Sequence, residues 1–582
     1  MIILFEDYFY KEEVISSILP EELLSWSSDE TLVKTTFVGY HYSDKLNDAC
    51  FILPKVFVDL YGHPFGKVDL NFDDLAYGKK SFIEILGIED AQIISRLSFW
   101  IYMAISHYAE RSPDTGILKN KNLQDVKSIG DYNCTTLIEI IQSLRKFNQD
   151  HQNLFTFIIK SNRSGIHKVD WGKTITKIQP ILQNEEIVYM KFVNKKKIIN
   201  FDEDIIVLFF SVLQYLGEKF YFHEPLNFNY NLLPSHEIEN IIESENGTII
   251  LNKIRHKYFT DELVQLWQLL YTFFDKAEKI ANKGCVEEFL LVNSFNKVFE
   301  DMIDQLIGSS NLASLKNNKD GKVIDHLYKD DSLLNNGKVY YIADSKYYKE
   351  SSDLSENSVY KQFTYAKNII QHNINLFYKD PKHYLPAMRD ELTEGYNVVP
   401  NYFIRGIAIN QHGKIYSYEE EALTNEFDTD RLNKENKIVN YHFENRLFDR
   451  DTLVLQTYNI NFLYVLAKYV EGGDEVVQAR IHRKFRQDLI ERFNKLYSFY
   501  KLTPKEKNLE ELITINFKKL HGKIIRLRDL DNYIVMALEC QSLTNNCIAN
   551  FSQYNNIFVG ELEQDFDVRQ FSLTEDINIE NI

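Results

Sequence analysis

The chain reads as a multi-domain α/β protein, and three observations predict this. Its 582 residues exceed one ordinary domain. Hydrophobic residues at 44% and aromatics at 14% supply ample core, while 22 Gly and 11 Pro are few enough to predict long regular elements with few sharp turns. Between residues 285 and 410 the pattern runs helix, strand, strand, helix, strand. That order suits a mixed central sheet of about four or five strands flanked by helices.

In chain order, residues 1–80 carry short alternating apolar runs ("TLVKTTFVGYHY", "ACFILPKVFVDLYG") and predict a small β-rich unit. Residues 81–245 read as a mainly helical, mixed region suited to partner or DNA binding. In "AQIISRLSFWIYMAISHYAE" and "TTLIEIIQSLRKF", apolar residues recur at helical spacing. A Ser-Asn-Arg-Ser-Gly turn signal follows, with Asp170 or Thr174 placed to cap the next helix. "EIVYMKFVNKKKIINF" predicts a hairpin with Lys195, Lys196 and Lys197 at its solvated tip, and "EDIIVLFFSVLQYLGEKF" an apolar helix.

Residues 246–470 form the predicted central domain. It opens with a strand at "GTIILNKI" and a helix started by Thr260, with Asp261 and Glu262 in the first turn. A helix over "CVEEFLLVNSFNKVFEDMIDQLIG" stops at Gly308. The strand pair of Gly321–Lys349 comes next, then a helix at "NSVYKQFTYAKNIIQH", a strand at "NYFIRGIAIN" and a helix at "NFLYVLAKYV". Residues 471–582 are a mixed C-terminal region that opens on the helical "HRKFRQDLIERFNKLYSFY". No internal repeat or low-complexity tract is present.

Charge and cysteine content exclude several classes. The net charge of −18, from 66 basic and 84 acidic residues, opposes nucleic-acid binding by global attraction. A DNA-directed activity would need a local basic patch, a metal ion or a partner. Cys50, Cys134, Cys285, Cys540 and Cys547 form no CxxC pair, which argues against a zinc site or disulfide framework and for a reducing compartment. The N-terminus lacks signal-peptide character, and no stretch approaches the ~18 apolar residues of a membrane span. A cytoplasmic protein is expected, with no membrane partner.

The chemistry concentrates in Gly321–Lys349, where two apolar runs each end on an acid: Asp325 after "KVI" and Asp344 after "VYYIA". Strand alternation puts Asp344 and Lys346 on one face and Ser345 on the other. Glu300 lies on the preceding helix, and Gln362 and Tyr365 open the following one. Phosphodiester hydrolysis needs an attacking water, charge relief at the phosphate and help for the leaving oxygen. Mg²⁺, replaceable by Mn²⁺, answers all three. Asp325 and Asp344 would ligate it directly, with the Ser345 carbonyl as a third ligand and Glu300 acting through water. Lys346 would stabilise charge on the phosphate or position the water. Gln362 would hold the substrate backbone or a water. The basic stretch Lys160–Lys177, with Lys160, Arg163, Lys168 and Lys173, would meet a phosphate backbone or an acidic partner face, and Tyr365 joins it as a DNA or partner contact. His326 follows Asp325 but points to the opposite face, as a structural residue or a substrate contact. Hydrolases built on G-x-S-x-G or H-E-x-x-H are excluded, since neither pattern occurs.

"VIDHLY" followed by "IADSKYYK" resembles the PD-(D/E)XK nuclease motif, and the acidic helix before it and the Q-x-x-Y element after it fit the same pattern. More narrowly, "IHKVDWGKTI", "SKYYK" and "LQTYNINFLYVLAKYV" resemble the McrC/LlaJI group of restriction proteins, over residues 155–470. The chain departs from the motif at Ile324, where a proline is expected. The resemblance implies a PD-(D/E)XK nuclease core and a metal-dependent DNA endonuclease of a restriction system. It implies work with a McrB-like AAA+ GTPase or ATPase, and dimerisation where both strands are cut. No G-x-x-x-x-G-K-[ST] loop occurs, so this chain itself is expected to bind no nucleotide. Two rivals share the site: an inactive adaptor bridging a motor to DNA, and an RNA-cleaving effector.

Overall fold

The computed structural model describes residues 1–582 except 28–31, 44–47, 60, 68–69, 71–74, 77–86, 112–117, 121–127, 130–131, 134–135, 156–157, 164–167, 228, 284–287, 317–322, 336, 349–355, 411, 425–436, 441–444, 529–530, 545–546 and 551. The fold is mixed α/β. Where the sequence reading divides the chain at 80, 245 and 470, the structure groups it into two compact units. The first comprises residues 1–53, 72–102 and 115–293, and the second comprises 54–71, 103–114 and 294–582. Among the described residues, no helix is long and apolar enough to cross a membrane.

The first unit centres on a five-stranded sheet in the order Ile2–Phe5, Asp48–Leu53, Val38–Ser43, Phe289–Val292, Leu118–Asn120. Only the first pair is parallel. Its helices include Leu137–Asp150, which opens on a capping box between Thr136 and Glu139, and the apolar Asp204–Phe220. Buried Glu288 receives Lys276 and the Leu137 N–H, a paired carboxylate within the core.

Three readings change here. The "GTIILNKI" segment is a helix, Gly247–Ile254, not a strand. Its free N-terminal N–H groups at Gly247 and Thr248 donate to the Glu278 carboxylate, 2.8 and 3.2 Å away. Leu251 and Ile254 bury one helical face. The stretch expected as one helix from Cys285 contains the strand Phe289–Val292 before its helix begins at Phe295. Finally, Lys195–Lys197 lie inside a strand, Asn194–Ile199, paired antiparallel with Ile158–Arg163. The turn falls earlier, at Asn184 and Glu185, both at positive φ, between Ile181–Gln183 and Glu186–Val188.

The second unit holds the predicted strand pair. Helix α1 (Phe295–Ile307) ends at Gly308, as expected. Strands β1 (His326–Asp331) and β2 (Lys338–Lys346) pair antiparallel. Helix α2 (Glu356–Lys379) leads to β3 (Pro400–Ile407), which runs parallel to β2. Strand β4 (Lys437–Asn440) and β5 (Thr452–Asn461) complete a mixed sheet ordered β1-β2-β3-β5-β4, followed by helices α3 (Phe462–Glu471) and α4 (Glu475–Leu496).

Alternation assigns the two faces of this sheet. Val359 and Phe363 of α2 pack on Phe403, Leu453 and Leu455. On the opposite face, Phe485 of α4 stacks on Tyr402 at 4.6 Å, and His482 stacks on Tyr328 at 3.8 Å. Beyond α4, Tyr497–Pro504 is a strand rather than the end of the predicted helix. It joins a four-stranded antiparallel sheet around Leu502, Ile534, Met536 and Phe566.

Candidate active site

Register builds the site. In β1 and β2, His326 pairs with Ala343. One step further sets Asp325 across from Asp344. Asp325 therefore precedes its strand instead of closing one, which corrects the sequence reading. Ile324 explains the missing proline: its N–H donates to the Lys316 carbonyl at 2.9 Å, a bond that proline lacks the hydrogen to make. Asp344 is 1% exposed and Lys346 is 9% exposed, and the two form an ion pair. Beneath them, Phe403 is the parallel-register neighbour of Asp344, and the Lys346 ammonium lies 5.3 Å from the centre of its ring. Ser345 faces the other way.

The two carboxyls lie within hydrogen-bonding reach and cannot both ionise cheaply. Burial pushes Asp325 well above the usual carboxylate range, and the Asp344 hydrogen bond and charge, then the Glu300 charge, push it further. Burial alone would raise Asp344 too. The hydrogen bond from Asp325 and the neighbouring Lys346 ammonium instead hold it low. Of the two, Asp325 is the carboxyl that favours its proton and Asp344 the one that favours its charge.

Helix α1 offers three acids, and the structure separates them. Asp301 receives Arg111, 2.6 Å away, and the Tyr469 hydroxyl. Asp304 binds Lys316 and lies 3.3 Å from Nδ1 of the fully buried His326. His326 is thereby spoken for by the α1 side of the sheet. Glu300 pairs with Lys297 at 2.9 Å, and its charge reaches Asp325.

Helix α2 supplies the remainder. Gln362 is 0% exposed, and neither its amide nitrogen nor its oxygen finds a partner among the described residues. An orphaned buried amide is costly and asks for a water or ligand. Tyr365 is also fully buried, and its hydroxyl donates to the Val323 carbonyl at 2.7 Å. It is closed off from DNA or a partner, contrary to its assignment as a contact; it anchors the lead-in to Asp325 instead. Sequence reasoning missed Lys361, which precedes Gln362 and stands one turn before Tyr365. Its charge reaches both Asp325 and Asp344.

The basic residues expected to meet DNA or a partner belong to the first unit, and the acid–lysine group belongs to the second. Lys160 and Arg163 lie on the strand Ile158–Arg163, their side chains outside the described residues. Lys168 is exposed, and so is Lys173, on the helix Trp171–Lys177 capped by Asp170. Trp171 beside them is 55% exposed.

Among the described residues, no three His, Cys, Asp or Glu side chains stand close enough to enclose a metal. The carboxylate pair offers hard oxygen donors, which fit a divalent cation that keeps most of its water.

No protein-family model matches the chain, and no curated protein does. Among solved structures it is similar to a half-complex from a tetradecameric assembly of Thermococcus gammatolerans McrB AAA+ hexamers with bound McrC. Identity is 13%, coverage is 84% of this chain and 99% of that one, and the TM-score is 0.28.

Proposed function

We propose that the chain is a metal-dependent endonuclease that hydrolyses DNA phosphodiester bonds in restriction of foreign DNA. The observation that supports it most directly is the Asp344–Lys346 ion pair with Asp325 set across from Asp344, where two paired strands meet. When bound, Mg²⁺ would supply Lewis acidity at the phosphate. Asp325, Asp344 and the Ser345 carbonyl would hold it, and Asp325 would release its proton as they do so. Lys346, steadied by Asp344 and Phe403, presents its ammonium to the charge that grows on the phosphate. Gln362 would satisfy its amide on a phosphate oxygen or an ordered water. Glu300 shapes the acidic rim and orients water.

An AAA+ partner of the McrB kind fits the same reading, since the chain has no phosphate-binding loop of its own and its charge of −18 opposes unaided DNA binding. The test is cleavage of duplex DNA with Mg²⁺, with and without such a motor and GTP. Asp344→Ala and Lys346→Ala should each lower the rate by at least about a hundredfold. Retained cleavage in both variants would remove the site, and cleavage of RNA alone would move the substrate to the rival effector.

A further inference from the structure

The site contains one more cation than the reaction's carboxylates call for. Lys346 is committed: nearly buried, ion-paired to Asp344 and seated over Phe403. Lys361 is placed differently. It is only partly buried, on the first turns of α2, and among the described residues no carboxylate lies within ion-pair distance of its ammonium. What holds it is Tyr365, one turn along the same helix. The Lys361 ammonium lies 5.4 Å from the centre of the tyrosine ring. The tyrosine hydroxyl in turn donates to the Val323 carbonyl, two residues before Asp325. A chain from Lys361 through Tyr365 to the β1 lead-in thus fixes an ammonium beside the carboxylate pair without spending it on either acid. Gln362, the next residue along α2, is buried with an unpartnered amide.

This arrangement serves an anion arriving from outside. Burial alone would lower the Lys361 pKa, but the charges of Asp325 and Asp344 outweigh it and keep the group cationic. If Lys361 were only a counterion for the acids, it would close on one of them, as Lys346 does. Resting on the nuclease reading above, we propose that Lys361 binds the substrate: its ammonium contacts a phosphate of the bound nucleic acid strand, while Lys346 remains paired with Asp344. The two lysines then divide the work: Lys346 faces the charge that grows on the reacting phosphate, and Lys361 captures the strand.

The experiment uses the full chain and a labelled single-stranded oligonucleotide, with Ca²⁺ to support binding without cleavage. It compares wild type, Lys361→Met and Lys361→Arg, with Asp344→Ala scored for cleavage in Mg²⁺ as the control on the nuclease reading. Lys361→Met should weaken oligonucleotide binding by about tenfold and lower the slope of log affinity against log salt by ~0.7, the share of one phosphate contact on a single strand. Lys361→Arg should restore both. Mn²⁺ affinity measured without oligonucleotide should hold or rise in Lys361→Met, since a positive neighbour is gone, and this shows that the site remains folded. Unchanged affinity and slope in Lys361→Met, with wild type binding normally, would overturn this inference alone. A wild-type chain that binds no oligonucleotide would likewise overturn this inference, whereas an Asp344→Ala variant that still cleaves would remove the site assignment and this inference with it.

Discussion

Asp325 is where the chemistry and the stability of the molecule conflict. Its carboxyl keeps a proton in the folded chain that an unfolded chain releases above pH ~4. A native state that binds more protons loses stability as pH rises. The cost is absent below the unfolded pKa and grows through neutrality. Asparagine is a neutral stand-in that never has a proton to lose. Asp325→Asn should therefore be more stable than wild type by about 1 kcal/mol or more at pH 7, and by nearly nothing at pH 4. Thermal unfolding across that range measures it. A difference that stays constant with pH, or a variant less stable at pH 7, would mean that the pair does not share a proton. Under the proposed function, a divalent cation would remove the repulsion that the proton now relieves. Such an acid is legible in sequence as a strand-end Asp, and so are Asp344 and Lys346, because strand alternation is local. Lys361 was not, because its role depends on a helix placed by the sheet.

Elements position these residues through close approach, and Gly406 on β3 is the clearest case. A Cβ there would come within 2.8 Å of the Phe299 ring on α1 and 3.3 Å of Phe462 at the start of α3. Phe299 and Phe462 are themselves stacked, at 5.8 Å. Helix α1, which carries Glu300, sits this close to the sheet because β3 has no side chain at that point. Replacing Gly in a strand normally gains roughly 0.5–1 kcal/mol of backbone entropy. Here overpacking against two rings should outweigh that gain, so Gly406→Ala should cost about 1–3 kcal/mol net. Urea unfolding would show a lower midpoint at an unchanged slope; an equal or higher midpoint would show that α1 can shift freely. The same principle explains which elements the sequence revealed. Helices α2 and α3 and strand β3 announce themselves by local periodicity. Gly247–Ile254 did not, because its helix start is satisfied by Glu278, thirty-one residues beyond Gly247. Phe289–Val292 looked helical because a buried strand and a buried helix segment share one apolar run, and only its pairing with Val38–His41 decides between them.

At the scale of the molecule, the unit that holds the candidate site is not one continuous stretch. It takes in residues 54–71 and 103–114 as well as everything from 294 onward. These early pieces are structural parts of it. The Lys55 N–H donates to the Tyr347 hydroxyl at 3.2 Å, one residue beyond Lys346. Phe57 is fully buried and packs edge-on against Phe462 at 5.5 Å. Arg111 closes on Asp301 and lies over the Tyr469 ring. A fragment beginning at residue 294 would keep every residue of the acid–lysine group yet expose the faces of Tyr347, Phe462 and Tyr469 that these pieces cover. Losing one buried aromatic of the Phe57 kind already costs about 3–5 kcal/mol, a large part of the 5–15 kcal/mol that holds a typical domain folded. The fragment should therefore be insoluble, or unfold at a markedly lower urea concentration than the same unit within the full chain. Chain alone, fragment alone, and fragment mixed with a peptide of residues 54–71 form the comparison, read by circular dichroism. A fragment as stable as the full chain's unit would show that the early segments only lie against a core that folds by itself. The expected loss would mean that the site cannot be transplanted as residues 294–582, and that its strands depend on chain that precedes them by more than two hundred residues.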